Sequence, residues 1–197
     1  MYTISHARAA RLARGVRGFS LIELGIVIAV IAVLAAVVIF GRGFIVASRV
    51  SKLVEAANTV RKGASTYAGL MGGSLNPAET PQSGIVKLAN RQLLPPLIPA
   101  TNTWVVSGPT NPPNAESFQI IGVGLGQVPG PGGGAPQNAV SVKFSCPKVE
   151  NAQDVVASVI NDPNLVKGAP EPGGSGGVCA STPNDAQANQ TYICFSL

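Results

Sequence analysis

From Leu24 to Phe40 the chain has 17 consecutive positions without a polar side chain. Extended back through Phe19, the run is 22 residues long, and Ser20 and Glu23 are its only polar members. A helix of that length rises about 33 Å, enough to cross a hydrocarbon layer of roughly 30 Å. Twelve Leu, Ile, Val and Phe residues between Leu24 and Phe40 favour insertion by roughly 4 to 7 kcal/mol in total. The pattern then changes. Val46, Val50, Leu53, Val54, Ala57, Val60, Ala64 and Tyr67 recur mostly at spacings of three and four, while Arg49, Lys52, Glu55, Asn58, Arg61 and Lys62 fall largely on other faces. That spacing predicts an amphipathic helix, ending at the glycines between Gly69 and Gly73. Between the two stretches, Gly41-Arg42-Gly43 reads either as a bend or as glycines tolerated within one helix, each weakening it by about 1 kcal/mol. A helix from Phe19 to Met71 would be about 80 Å long. Its second half has a stripe to bury, and the rest of the chain must cover it.

The remainder follows a different rhythm. Residues 74–100 read as a connector with short apolar pieces at Ile85-Val86-Lys87-Leu88 and Leu93-Leu94. Strand-like runs follow at Thr103–Ser107, Ser117–Gly122, Ala139–Ser145 and Thr191–Leu197. In the third, Val140, Val142 and Phe144 share one face; in the last, Ile193, Phe195 and Leu197 do. Pro- and Gly-rich clusters at Pro109–Pro113 and Pro129–Pro136 read as turns, and the gaps lack crossover helices, so antiparallel pairing is expected. Asn151–Ile160 reads as a short helix with Asn151 as its N-cap and Asp154 three residues on. Residues 168–177, GAPEPGGSGG, read as a flexible loop. The fold class is therefore α+β, one long helix against a small antiparallel sheet.

Composition sharpens this division. Of 197 residues, 23 are Gly and 16 Pro, yet no proline precedes Pro77. The net charge of +5 is concentrated in Arg8, Arg11, Arg14 and Arg17; beyond residue 18, ten basic residues face nine acids. That near-neutral balance argues against a nucleic-acid surface. The four leading arginines place the N-terminus in the cytoplasm and the bulk of the chain outside. An ordinary secretory signal needs a small-residue cleavage site after its core, and Ala47-Ser48-Arg49 is a poor one because the helical pattern continues through it. Beyond His6 the chain has no histidine, which removes Ser/His/Asp and Cys/His catalysis, and the cysteines form no C-x-x-C pair for zinc. Gly122-Val123-Gly124-Leu125-Gly126 has the glycine density of a phosphate loop but lacks the Lys-Ser/Thr and the helix that should follow; it reads as a strand ending in a turn. Lys143 and Lys148 flank Cys146 and read as a solvated surface pair. Neither an enzyme nor a cofactor is expected.

Glu23 is the exception in the apolar run, and an ionisable residue inside such a segment is functional by default. Gly18-Phe19-Ser20-Leu21-Ile22-Glu23, behind a short basic leader and before the apolar run, resembles the type IV prepilin signature. The resemblance implies cleavage by a prepilin peptidase after Gly18, N-methylation of Phe19 as the first mature residue, and an assembly role for Glu23. It further implies an inner-membrane platform and an assembly ATPase as partners, residence as a single-pass inner-membrane protein, and later export into an extracellular helical filament of identical subunits. Physically, cleavage leaves a cationic amine at the end of an apolar helix. A neighbouring copy's Glu23 at about 4 Å would attract it by on the order of 4 kcal/mol at an effective dielectric near 20. Neither charge is tolerated alone among packed apolar helices, so the pair favours one axial stagger.

Three cysteines, Cys146, Cys179 and Cys194, suit an oxidising location and permit three pairings, among which the sequence does not choose. Here the layout resembles type IVb pilins, whose C-terminal region is enclosed by a disulfide. That resemblance implies Cys146–Cys179, with Cys194 a buried thiol and Cys146–Cys194 as the alternative. Phe19, by contrast, is the type IVa choice at the mature N-terminus. The expected organisation is a leader over 1–18, an apolar helix over 19–43 and a head over 44–197. The head comprises an amphipathic helix over 44–71, a connector over 72–100 and a sheet with a disulfide-bounded region over 101–197. The expected function is a structural pilin subunit. A pseudopilin of type II secretion and a DNA-binding minor pilin are the alternatives.

Overall fold

A computed structural model describes residues 19–110, 116–130 and 134–197. The expected leader, with Gly18, lies outside the described residues, as do parts of both Pro-rich turns. The chain divides into two units at Arg42–Gly43. Both draw on helix α1, Leu21–Leu70, in which Gly41, Arg42 and Gly43 are all helical.

In the first unit, the large apolar side chains from Phe19 to Phe40 are between 49% and 88% exposed. This is the one helix, among the described residues, long and apolar enough to cross a membrane; its most apolar 18-residue window has a mean hydropathy of 3.1.

The second unit is α+β. The rest of α1 buries Val50, Leu53, Ala56, Ala57, Val60, Gly63, Ala64, Tyr67 and Ala68, the stripe that the spacing predicts. Against it packs a five-stranded antiparallel sheet. The strands are β1 (Trp104–Ser107), β2 (Phe118–Val128), β3 (Gln137–Ser145), β4 (Leu165–Val166) and β5 (Thr191–Ser196), in the order β1-β2-β3-β5-β4. Val140, Val142, Phe144, Ile193 and Phe195 face the helix in one core. Arg61 of α1 ties the helix to the β5–β4 end of the sheet, pairing with Asp162, just before β4, at 3.4 Å and lying over the Phe195 ring.

Several local expectations change. The connector contains a helix, α2 (Pro81–Asn90). Thr80 caps it by accepting from the Ser83 amide, Pro81 fills the first turn, where no amide donor is needed, and Ile85 and Leu88 are fully buried. Strand β2 runs on through Gly122–Gly126 to Val128 instead of turning there. Helix α3 spans Val149–Val159 with Lys148 at its cap, so Asn151 lies inside the helix, nearly buried, and does not cap it. The strand β4 is an addition, and it pairs with β5 through Leu165↔Phe195 and Val166↔Cys194.

The disulfide requires a larger correction. Cys179 is bonded to Cys194, and Cys146 is a buried free thiol. Neither Cys146–Cys179 nor Cys146–Cys194 forms, and the bridge encloses a sequence separation of 15 rather than most of the C-terminal region. Pleating explains the outcome. Ser141 lies opposite Cys194 in the β3–β5 register. Cys146 is five residues further along, roughly 16 Å at about 3.3 Å per residue, well beyond the ~7 Å Cα separation that a disulfide tolerates. Cys146 also belongs to the core facing α1, with Phe144, while Cys194 clusters with Cys179 and Tyr192 on the other face.

The outer side of β5 is closed by short pieces rather than by one long strand. The Ala180 amide donates to the Tyr192 carbonyl, Val166 pairs with Cys194, and the Ser196 amide donates to the Asn164 carbonyl. Beside β1, Glu79 exchanges both backbone hydrogen bonds with Leu125 of β2.

Candidate functional site

The residues singled out by the sequence meet at the start of α1. Phe19 precedes the helix, exposed, and Ser20 caps it. The Ile22 amide donates to Ser20 Oγ at 3.3 Å, and the Ser20 amide donates to Glu23 Oε2 at 2.9 Å. The arrangement is close to a capping box: Ser20 Oγ accepts from the amide two positions on, at Ile22, and the Glu23 carboxylate reaches back to the Ser20 amide. The Ser-x-x-Glu spacing before an apolar run is its sequence signal, which the reading of Glu23 as an intermolecular partner passes over. Chemically, the box gives the carboxylate one hydrogen bond within its own chain. Its second oxygen receives none among the described contacts, so the group keeps capacity for a cation. The surrounding apolar side chains offer adhesion and no alternative partner.

Among the described residues, no three His, Cys, Asp or Glu side chains gather where they could hold a metal ion. Cys146 is deep in the core; burial, and then the nearby Asp154 carboxylate, push its thiol up to about 12, where it is neutral and unreactive. Asp185 is held down to about 2 by the Ser181 hydroxyl and by the Thr182 and Ser181 amides, which fasten the short turn Pro183–Asp185. Burial raises the Glu79 carboxyl, but hydrogen bonds from Lys87 and Ser83 outweigh it and leave the group below its usual range. The same Glu79 contact raises Lys87. These are fastenings of the fold.

Gly122-Val123-Gly124-Leu125-Gly126 is accounted for by packing. Val123 and Leu125 are in the core, and the alternate glycines leave space for neighbours. A Cβ at Gly122 would lie 2.7 Å from Pro81; at Gly124 it would lie 2.0 Å from Glu171 Oε1; at Gly126 it would lie 1.9 Å from the Pro172 carbonyl oxygen. The loop 168–177, expected to be flexible, is instead seated on this stretch of strand through buried Glu171, Pro172 and Gly173. Glycine at every second position of a strand signals a face on which another segment lies flush.

A shallow groove of about 590 Å³ lies between α1 and α3, lined by Ala47, Val50, Ser51, Val54, Asp154, Ala157 and Ser158. A hollow of about 460 Å³ beside the disulfide is lined by Val178, Ser181, Asp185, Gln187, Gln190 and Tyr192, among others. Ser181 and Asp185 are already committed to each other, and the Thr191 hydroxyl accepts from the Gln187 amide and donates to the Gln187 carbonyl. No protein-family model, curated protein or solved structure matches this chain.

Proposed function

We propose that this chain is a structural subunit of a type IV pilus. It enters the inner membrane through Phe19–Phe40, is cleaved by a prepilin peptidase after Gly18 and methylated at Phe19, and is then drawn by an assembly platform and ATPase into a filament of identical copies. The apolar stretch of α1 forms the filament core and the α+β unit its outer surface. The observation that carries this reading is Glu23: one carboxylate, at the first turn of an exposed apolar helix, five positions along when Phe19 is counted first. In a membrane anchor without assembly this acid does no more than cap its own helix, at a cost in apolar surroundings; between copies it also pairs with the amine created at Phe19. Mass spectrometry of the protein purified from its own cells tests the proposal. An N-terminal peptide beginning at Phe19 and carrying one methyl group is the expected result. Retention of the leader, or cleavage at any other bond, overturns it.

A further inference from the structure

Filament assembly leaves one buried acid unused. Glu171 is 4% exposed, and both of its oxygens are occupied. Oε1 accepts from Ser141 Oγ at 2.8 Å and from the Gly173 amide at 2.7 Å; Oε2 accepts from the Ser175 amide at 2.9 Å and from Ser175 Oγ at 2.7 Å. Three of these bonds close the turn that Glu171 begins. The fourth reaches β3 at Ser141, the residue opposite Cys194 in the sheet.

The arms of the turn are bonded to each other. The Glu171 amide donates to the Gly177 carbonyl, the Cys179 amide to the Ala169 carbonyl, and the Gly168 amide to the Cys179 carbonyl, at 2.9 to 3.0 Å. With the turn closed and seated on Ser141, Cys179 lies against Tyr192 and its sulfur meets that of Cys194. We propose that Glu171 is a positioning residue for oxidation: by seating this turn it brings Cys179 to Cys194 and selects that pair from three cysteines.

The chemistry needs an oxidant of the small-molecule disulfide class, such as oxidised glutathione. The Cys179 thiolate attacks it, forming a mixed disulfide and releasing one glutathione thiolate. The Cys194 thiolate then attacks the Cys179 sulfur, expelling the second. Two protein thiols lose two electrons and two protons, and the oxidant becomes two thiols. Glu171 acts on the second step, by raising the effective concentration of Cys194 at the mixed disulfide. An amide cannot replace it. Each carboxylate oxygen faces a backbone amide that cannot be re-aimed, so Gln at this position always sets its NH2 against an N–H donor.

The test reduces the full chain in detergent and denaturant, refolds it in a fixed mixture of reduced and oxidised glutathione, quenches by alkylation and maps the cysteine peptides by mass spectrometry. For the native sequence, Cys179–Cys194 dominates and Cys146 is recovered as a free thiol. For Glu171→Gln, the ratio of that bridge to the Cys179–glutathione mixed disulfide falls by about tenfold or more, and bridges containing Cys146 appear. Ser141→Ala lowers the ratio less, by roughly threefold. A core variant, Leu88→Ala, lowers overall stability without moving the ratio while it remains folded. Native-like ratios in both Glu171→Gln and Ser141→Ala overturn the proposal, as does an equal shift in Leu88→Ala. If Glu171→Gln fails to recover its sheet by circular dichroism, Ser141→Ala and Ser175→Ala decide on the same criterion.

Discussion

The two stretches of α1 use the same helical backbone for opposite ends. Between Leu21 and Arg42 the large apolar side chains are exposed on every side, whereas beyond Gly43 the helix buries one stripe of mostly small and medium residues and presents charge elsewhere. The difference lies in where the hydrophobic free energy is realised. The second stretch gains it inside its own chain, against β2, β3 and β5. The first leaves its apolar side chains exposed in the single chain. Substitutions should therefore separate cleanly: those in the second stretch change folding, and those in the first change association.

The largest expected effect lies in the first stretch. Glu23→Ala should cut filament number by up to about three orders of magnitude, the loss of an attraction near 4 kcal/mol, while the unfolding midpoint of the α+β unit stays put. Filament counts by electron microscopy against a denaturation curve provide both readings, and normal filament numbers would break the comparison.

In the core covered by the second stretch, Cys146 should react with iodoacetamide about a thousandfold more slowly in the folded protein than after unfolding, since its thiol is raised from 9.0 to about 12. Alkylation followed by mass spectrometry checks this.

Leu53→Ala should lower the stability of the α+β unit by about 2 to 5 kcal/mol, and Leu34→Ala by less than about 0.5, by chemical denaturation in detergent. Equal losses would mean that the exposed stretch also supports the fold. On the opposite face of the sheet, Gly124→Ala should cost about 1 to 3 kcal/mol, because its methyl group would fall on the Glu171 carboxylate.

The smallest effect is local. The Asp185 carboxyl lies near 2 in the folded chain against 3.8 unperturbed, so the fastening of Pro183–Asp185 is fully present above pH 3.8 and is lost as pH falls through about 2. Faster amide exchange at Ser181 and Thr182 below pH 3, without sheet unfolding, is the expected observation.

The α+β class, the long helix, its buried stripe and the positions of β1, β3 and β5 are legible in the sequence because each depends on a local period. The missed features depend on what lies across the fold. Helix α2 carries only two fully buried large side chains, Ile85 and Leu88, and Gly84 is where it comes flush against the Val123 carbonyl, so the apolar pattern is too brief to declare a helix. Its Thr80-Pro81 start was the available signal. Strand β2 reads short in the sequence because alternate glycines resemble a turn, whereas in the fold Glu171 and Pro172 lie on them. The disulfide, by contrast, could have been narrowed from strand parity. Val140, Val142 and Phe144 point the same way as Cys146, and Cys194 points away from Ile193 and Phe195. For Glu23, the same Ser-Leu-Ile-Glu tetrad carries the capping box as well as the acid's place in the apolar run, and one reading hid the other.

The piecemeal closure of β5 matters most when many copies stand side by side. Ala180, Val166 and Asn164 each occupy a rung that a foreign strand would otherwise seize. Copies at high local concentration can touch repeatedly without zipping into the cross-linked ribbons that a bare margin invites.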